Sequence, residues 1–409
     1  MLLGGAIALC GALTVAELAA TFPRTGGWYV FVREGWGPMA GFLFGWAQLV
    51  LIRASAVGAI ATVFSEYLLR SFGFSPPAGS SIVNGVAALA IVVTTIVNVR
   101  GVQLGAVLSG VSSIAKFGGL ALLVLVSFAL GSADATAAPA GAPATTDPRL
   151  FGLALISALW AYDGFADVAM TAGEVRDPIR TLPRAIIVGT VAVVAIYIAA
   201  NLAYLHVNGV IGMARSTLVA ADTMQALVGS VGVAFISVIV MLSTFGTLTG
   251  IMLTSPRVFF AMADDGLFFT RLTYVHPRYH TPVVAIVLAG ILGIAFVLTR
   301  SFEQLADTFV VSIWPFYGLA VAGLYRVRRR VPEHDRPYRM PGYPLVPAVF
   351  VAGVVYLVGS AMVSDPVWTS LTFGIVLAGI PVYFMAFSRP QGPGPWPQTS
   401  SERSANSEA

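Results

Sequence analysis

Eleven apolar runs recur along the chain, at about residues 3–22, 39–69, 82–99, 103–131, 150–172, 184–206, 231–262, 282–299, 304–325, 345–363 and 367–387. Each approaches or exceeds the ~20 residues that a helix needs to cross the hydrocarbon core of a bilayer. In lipid every backbone N–H and C=O must be satisfied within the structure, so runs of this length are read as helices. The expected fold class is therefore an all-α integral membrane protein with about eleven transmembrane helices. Composition agrees: 10% of residues are charged, against about 25% in a soluble domain. Runs well beyond 20 residues imply tilt or extension past the bilayer. The first run has no basic segment before it and is interrupted by Glu17, so it reads as a retained helix rather than a signal peptide.

The net charge of +4 does not point to nucleic acid, because the arginines sit in short loops between apolar runs. With the loop after the first run in the cytoplasm and the rest alternating, 17 of the 23 Lys and Arg fall on the cytoplasmic side. Only Arg70, Arg149, Arg215 and Arg300 fall outside, and Arg53 and Lys116 lie inside runs. This bias predicts a multi-pass protein of the cytoplasmic (inner) membrane with a cytoplasmic C-terminus. The N-terminus then lands outside, and the expectation is that the gene encodes one more apolar helix ahead of Met1. An in-frame apolar segment upstream would support that; a stop codon directly upstream would refute it.

The loops divide by composition. Residues 132–149 read as a flexible external linker, 207–230 as a longer external loop with room for a short helix, and 388–409 as a disordered cytoplasmic tail rich in Pro, Gly and Ser. Arg24 to Pro38 mixes aromatics with glycines, as an interfacial hairpin does. Ser255 to Leu267 reads as a helix leaving the membrane, with Gly266 as its stop. The only cysteine, Cys10, excludes a disulfide framework within the chain. His206, His276, His280 and His334 have no metal-ligand spacing beyond one weak i,i+4 pair in a loop, His276 and His280, and no phosphate-binding loop is present. No metal and no cofactor are expected. No catalytic constellation lies within a run, so an enzyme is not expected.

The stretch Ser157 to Asp167 stands out within its run, because it places Asp163, Gly164 and Asp167 at membrane depth. An Asp at the centre of a spanning helix costs about 2.5–3.5 kcal/mol and usually faces a cavity or a partner. Glycine there loosens the helix, and a discontinuous helix is a sequence pointer to the binding site of a secondary transporter. The plainer reading is a kinked packing helix whose aspartates face a wet crevice.

Four further stretches, in order along the chain, carry a resemblance: Ala16 to Gly27; Trp160 to Phe165 with Gly173 to Pro178 and Leu182 to Arg184; Pro256 to Gly266; and Arg336 to Pro344. With them the sequence resembles the amino acid–polyamine–organocation superfamily, and within it the bacterial relatives of the L-type amino acid transporters. The resemblance implies a leucine-transporter-like fold of two inverted five-helix repeats followed by two further helices. It makes residues 1–387 one transporter domain: 1–131 a first repeat beginning at the family's second helix, 150–325 the second repeat, and 345–387 the extra pair. The family's first helix, whose break receives the substrate carboxylate, has no counterpart in these residues.

The rest of the site is carried over from the same resemblance. Trp160 corresponds to an aromatic gate over the substrate. Carbonyls freed near Trp160, Ala161 and Asp163 would receive its ammonium, Gly164 permits the break, and Phe165 lines the side-chain pocket. Lys116 corresponds to a built-in cation that stands where sodium sits in other members, with a role in proton coupling or a structural one. Arg53 and Glu17 are expected to be structural, and Asp167 to cap the second half of the broken helix. The implied function is sodium-independent secondary transport of amino acids, by exchange or proton coupling. Two alternatives remain open: a polyamine or organic-cation carrier, attracted by Asp163, and a non-transporting membrane sensor or partner subunit. A disulfide-linked partner is not expected, because the external loops lack cysteine.

Overall fold

The computed structural model describes residues 1–77, 79–100, 102–131, 148–279 and 281–387. Nearly all of the expected linker at 132–149 and all of the expected tail at 388–409 lie outside these residues. Among the described residues there are helices and no strands. In order they are α1 (Leu2–Thr21), α2 (Trp28–Trp36), α3 (Pro38–Ala47), α4 (Arg53–Ser71), α5 (Ser81–Arg100), α6 (Val102–Leu130) and α7 (Pro148–Ala161). Then follow α8 (Pro178–Arg215), α9 (Val219–Asp264), α10 (Val283–Thr299), α11 (Phe302–Arg330), α12 (Leu345–Ser364), α13 (Pro366–Leu377) and α14 (Gly379–Ala386).

Nine of the described helical stretches are long and apolar enough to cross a membrane. Two shorter apolar helices, Phe151–Ala161 and Val283–Thr299, occupy the remaining two expected positions. Burial sorts them into an inner and an outer set. The most apolar windows of Pro38–Ser71 and α11 are 72% buried, whereas those of Gly110–Leu130, α8 and α9 are 17% buried. The outer helices turn Leu125, Val188 and Val231 outward. Contiguous apolar surface of that extent suits lipid as the solvent. Helices α4, α5, α9 and α10 pack on one another, α1 packs on α8 and α12, and α11 runs against α2, α4 and α12.

Local chemistry explains the irregular points. Between α3 and α4 the chain makes a single π-helical turn, Gln48–Ile52, in which the N–H of Arg53 reaches back to the carbonyl of Gln48. Such bulges insert one residue into a continuous helix, and Arg53 follows directly, turned inward and buried. Ser301 starts α11 with a reciprocal cap, its hydroxyl accepting from the N–H of Gln304 and the Gln304 side chain accepting from the N–H of Ser301. Gly266 ends α9 as expected: its φ is +69°, and the N–H groups of Gly266 and Leu267 bond to the carbonyls of Ala263 and Met262.

Two loop expectations are corrected. The stretch 207–230 holds more helix than the short one allowed for: α8 continues to Arg215 and α9 starts at Val219. Gly209 and Gly229, both with positive φ, supply the corners without ending the helical hydrogen bonding for long. The stretch from Arg24 to Pro38 is not an interfacial hairpin but contains α2, whose Trp28 to Val32 are all buried, against α11 among others. Gly27 allows it, because its φ is +48° and an added Cβ would meet the backbone nitrogen of Met170 at 2.8 Å.

At the end of α1, Glu17 is completely buried and plays the structural part expected of it. Its carboxylate accepts from Nε and Nη2 of Arg328 at 2.9 and 2.6 Å, from Nη1 of Arg336 at 3.1 Å, and from the N–H of Met340 at 2.9 Å. A buried carboxylate persists when it is paired and hydrogen-bonded in this way. The network ties α1 and α11 to the segment between α11 and α12.

Candidate functional site

The break expected at Asp163–Gly164 is present. Helix α7 ends at Ala161, where the N–H of Tyr162 bonds to the carbonyl of Ala158 at 3.2 Å and the N–H of Asp163 to that of Trp160 at 3.3 Å. Gly164 then takes φ +89°, a backbone conformation that suits glycine. The chain resumes as a 3-10 helix, Asp167–Glu174, with the N–H of Asp167 on the carbonyl of Gly164 at 3.1 Å. Among the described residues, no backbone N–H reaches the carbonyls of Ala161, Tyr162 or Asp163. Free carbonyls were expected near Trp160, Ala161 and Asp163; the tightened last turn uses that of Trp160, and that of Tyr162 is free beside the other two.

Freed carbonyls at the C-terminal end of a helix carry the negative pole of its dipole. The residues that carry them line a cavity of about 380 Å³, together with Gly164 and Phe165, Lys116 and Phe117 of α6, and Thr190 and Tyr197 of α8. The fold thus brings Ala161, Asp163, Gly164, Phe165 and Lys116 to one cavity. Trp160 is not part of that lining; its ring meets Phe302 edge-on, with centroids 5.4 Å apart. The ammonium of Lys116 has no carboxylate within ion-pair distance among the described residues, and its nearest recorded ring is Phe117, at 5.9 Å.

Behind the break lies a polar layer that sequence reasoning only partly identified. The hydroxyl of Tyr317, on α11, donates to Oδ1 of Asp163 at 2.9 Å. Trp28 of α2 stacks on Tyr317, with centroids 3.9 Å apart, and meets Phe165 edge-on at 5.6 Å. Neither Trp28 nor Tyr317 was anticipated at the site. The only signal was that Trp28 belongs to an aromatic segment beside two glycines. Arg53 makes no ion-pair contact among the described residues, and its Nη2 points at the sulfur of Met170, 3.6 Å away. Asp167 does not cap the 3-10 helix: Ala166 holds the N-cap position, no side-chain cap bond forms, and Oδ1 of Asp167 is buried without a hydrogen-bond partner. Among the described residues, no group of three or more His, Cys, Asp and Glu is placed to hold a metal.

The segment after the break is fastened to α9 at its far end. Arg257 grips Glu174 with Nε on Oε1 at 2.5 Å and Nη2 on Oε2 at 3.0 Å. These charge-assisted hydrogen bonds hold the Glu174 carboxyl below its usual range. Nearby, Asp265 accepts from the hydroxyl of Tyr29 at 2.6 Å and from Arg33, which anchors α2 to the end of α9.

Comparison with known proteins gives a consistent result. Residues 1–387 match the family described as amino acid permease. The chain is 33% identical over 388 residues to the serine/threonine exchanger SteT of Bacillus subtilis, covering 94% of this chain and 86% of that protein. It is 31% identical to the human b(0,+)-type amino acid transporter 1, over 93% of this chain and 78% of the relative. It is 27% identical to the human cystine/glutamate transporter, over 93% and 76% respectively.

Proposed function

The chain belongs to the amino acid permease family, and from that premise we propose that it is a secondary transporter that carries amino acids by alternating access, without catalysing a reaction. The observation that carries this reading is the broken helix: among the described residues no backbone N–H pairs with the carbonyls of Ala161, Tyr162 and Asp163, and these three residues line a cavity. A peptide carbonyl left unpaired at membrane depth is costly, and an ammonium group offers it donors. In this reading the substrate ammonium sits on those carbonyls, Phe165 lines the side-chain pocket, and Trp160, braced by Phe302, gates the site. Tyr317 and Trp28 hold the break in place from behind. Lys116 is assigned the part of a fixed cation facing the cavity, in keeping with transport independent of sodium. The relatives' names, an exchanger and two transporters, favour exchange as the mode.

The four packed helices α4, α5, α9 and α10 serve as the scaffold, and α1, α7 and α8 move against it as a rigid bundle. The two groups come from two inverted repeats, 1–131 and 150–325, with α12, α13 and α14 outside them. The arginine bias sets the membrane orientation, with the ends that carry Glu174, Arg257 and Arg328 in the cytoplasm and the protein in the cytoplasmic membrane. The carrier of a second positive charge is the weaker reading, since one oxygen of Asp163 is committed to Tyr317. A covalently linked partner subunit is not part of the proposal, because the only cysteine, Cys10, is half-buried in α1.

The test is a screen in proteoliposomes preloaded with unlabelled amino acids, scoring uptake of each labelled amino acid and of putrescine. Stimulated uptake of a subset of amino acids is expected. Uptake of putrescine alone, or of nothing, would overturn the reading.

A further inference from the structure

A second cavity, of about 240 Å³, opens between α5, α9 and α10 at the end of the molecule that carries Glu174 and Arg257. On its wall Asn98 is 1% exposed. The Asn98 amide nitrogen donates to the carbonyl of Thr94 at 2.9 Å, which fixes the orientation of the amide because a carbonyl only accepts. Its Oδ1 is then buried with no donor among the described residues. Buried acceptors normally have a partner, and one left without it is destabilising. The neighbouring hydroxyl of Thr281 cannot serve, since it donates to the carbonyl of Val99 at 2.8 Å.

The lining of this cavity also presents both signs of charge. Arg257 uses Nε and Nη2 on Glu174 and Nη1 on the carbonyl of Leu253. A guanidinium has five N–H groups, so it keeps further donors after these three bonds. The Glu174 side chain is 57% exposed and keeps free acceptor positions. Phe260 and Met252 add apolar wall.

We infer that this cavity is a cytoplasmic-side subsite for a zwitterionic amino acid, separate from the cavity at the broken helix. The ligand carboxylate lies on the remaining N–H groups of Arg257, its ammonium lies between the Glu174 carboxylate and Oδ1 of Asn98, and its side chain packs on Phe260 and Met252. A simple anion would leave Oδ1 of Asn98 without a donor, and a simple cation would leave the N–H groups of Arg257 unused. The inference rests on the reading of the chain as an amino acid carrier and on the orientation assigned above. It makes the cavity a station between the central site and the cytoplasm, one that sets affinity on that side alone.

The test uses the full chain in proteoliposomes of known orientation and an equimolar mixture of radiolabelled L-amino acids applied to one face at a time. Asn98→Leu should raise the half-saturating concentration on the cytoplasmic face about fivefold, the worth of one hydrogen bond, and leave the external value unchanged. Phe260→Trp, which crowds the cavity without removing a polar group, should act in the same direction and decides the matter if Asn98→Leu does not fold. Values on the two faces that stay at wild type, or shift together, would overturn the subsite. A wild-type protein that exchanges amino acids from neither face would overturn the carrier reading, and the subsite with it.

Discussion

At the scale of single residues, the account turns on Gly164 and the hydroxyl behind it. With φ at +89°, Gly164→Ala places a Cβ where L-residues are strained by about 1–2 kcal/mol. The space around that position is open, with only Oδ2 of Asp167 within 4 Å, so the cost lies in the backbone. The variant should reach the membrane and keep its fold by circular dichroism, while exchange falls at least about tenfold as the break relaxes toward a helix. Tyr317→Phe removes one hydrogen bond to a carboxylate, worth about 1.5–3 kcal/mol. It should raise the half-saturating amino acid concentration by about tenfold or more with little change in expression. Exchange kinetics that match wild type in both variants would mean that the break is packing and not a site.

At the scale of elements, two ionic ties hold helices of different groups together. Glu17→Gln leaves Arg328 and Arg336 facing a neutral amide in a buried position. Breaking one partner of a buried pair costs about 3–5 kcal/mol, so the purified variant should unfold at a clearly lower temperature than wild type; an unchanged melting profile would count against the network. The Glu174–Arg257 tie behaves differently because its carboxylate side is more than half exposed. Its carboxyl is held below the ordinary range when folded, so its contribution is complete above the usual carboxylate value near 4.3. That contribution is lost as pH falls through the folded value. The stability gap between wild type and Glu174→Gln should therefore be constant from about pH 6 to pH 8 and close below about pH 4.

These elements also mark how far the sequence could be read. The break was legible because Asp163, Gly164 and Asp167 interrupt an apolar run, and the local glycine chemistry decides the rest. The helical corners at 207–230 were not, because Gly209 and Gly229 look like loop residues until their φ values are known. The inward face of α2 was not legible either, since aromatics beside glycines suit a membrane surface as well as a core. Glu17 was visible as a charge in an apolar helix, but its partners lie more than 300 residues away.

At the scale of the whole molecule, the order of apolar runs fixed eleven helical positions, and structure and comparison agree on an all-α membrane protein of the amino acid permease family. What the sequence did not carry is which helices face lipid and which face one another, since the runs are similarly apolar. Tertiary packing separates them, burying α11 and exposing the outer faces of α6 and α8.

The central claim, that opened carbonyls receive the ammonium of a zwitterion, is tested most directly by pairing each transported amino acid with the α-hydroxy acid in which a neutral hydroxyl replaces that ammonium. In proteoliposomes the unlabelled amino acid should inhibit exchange of its labelled form, while the hydroxy acid at the same concentration should leave it unaffected. Equal inhibition by the hydroxy acid would contradict the account, because the ammonium would then contribute nothing to recognition.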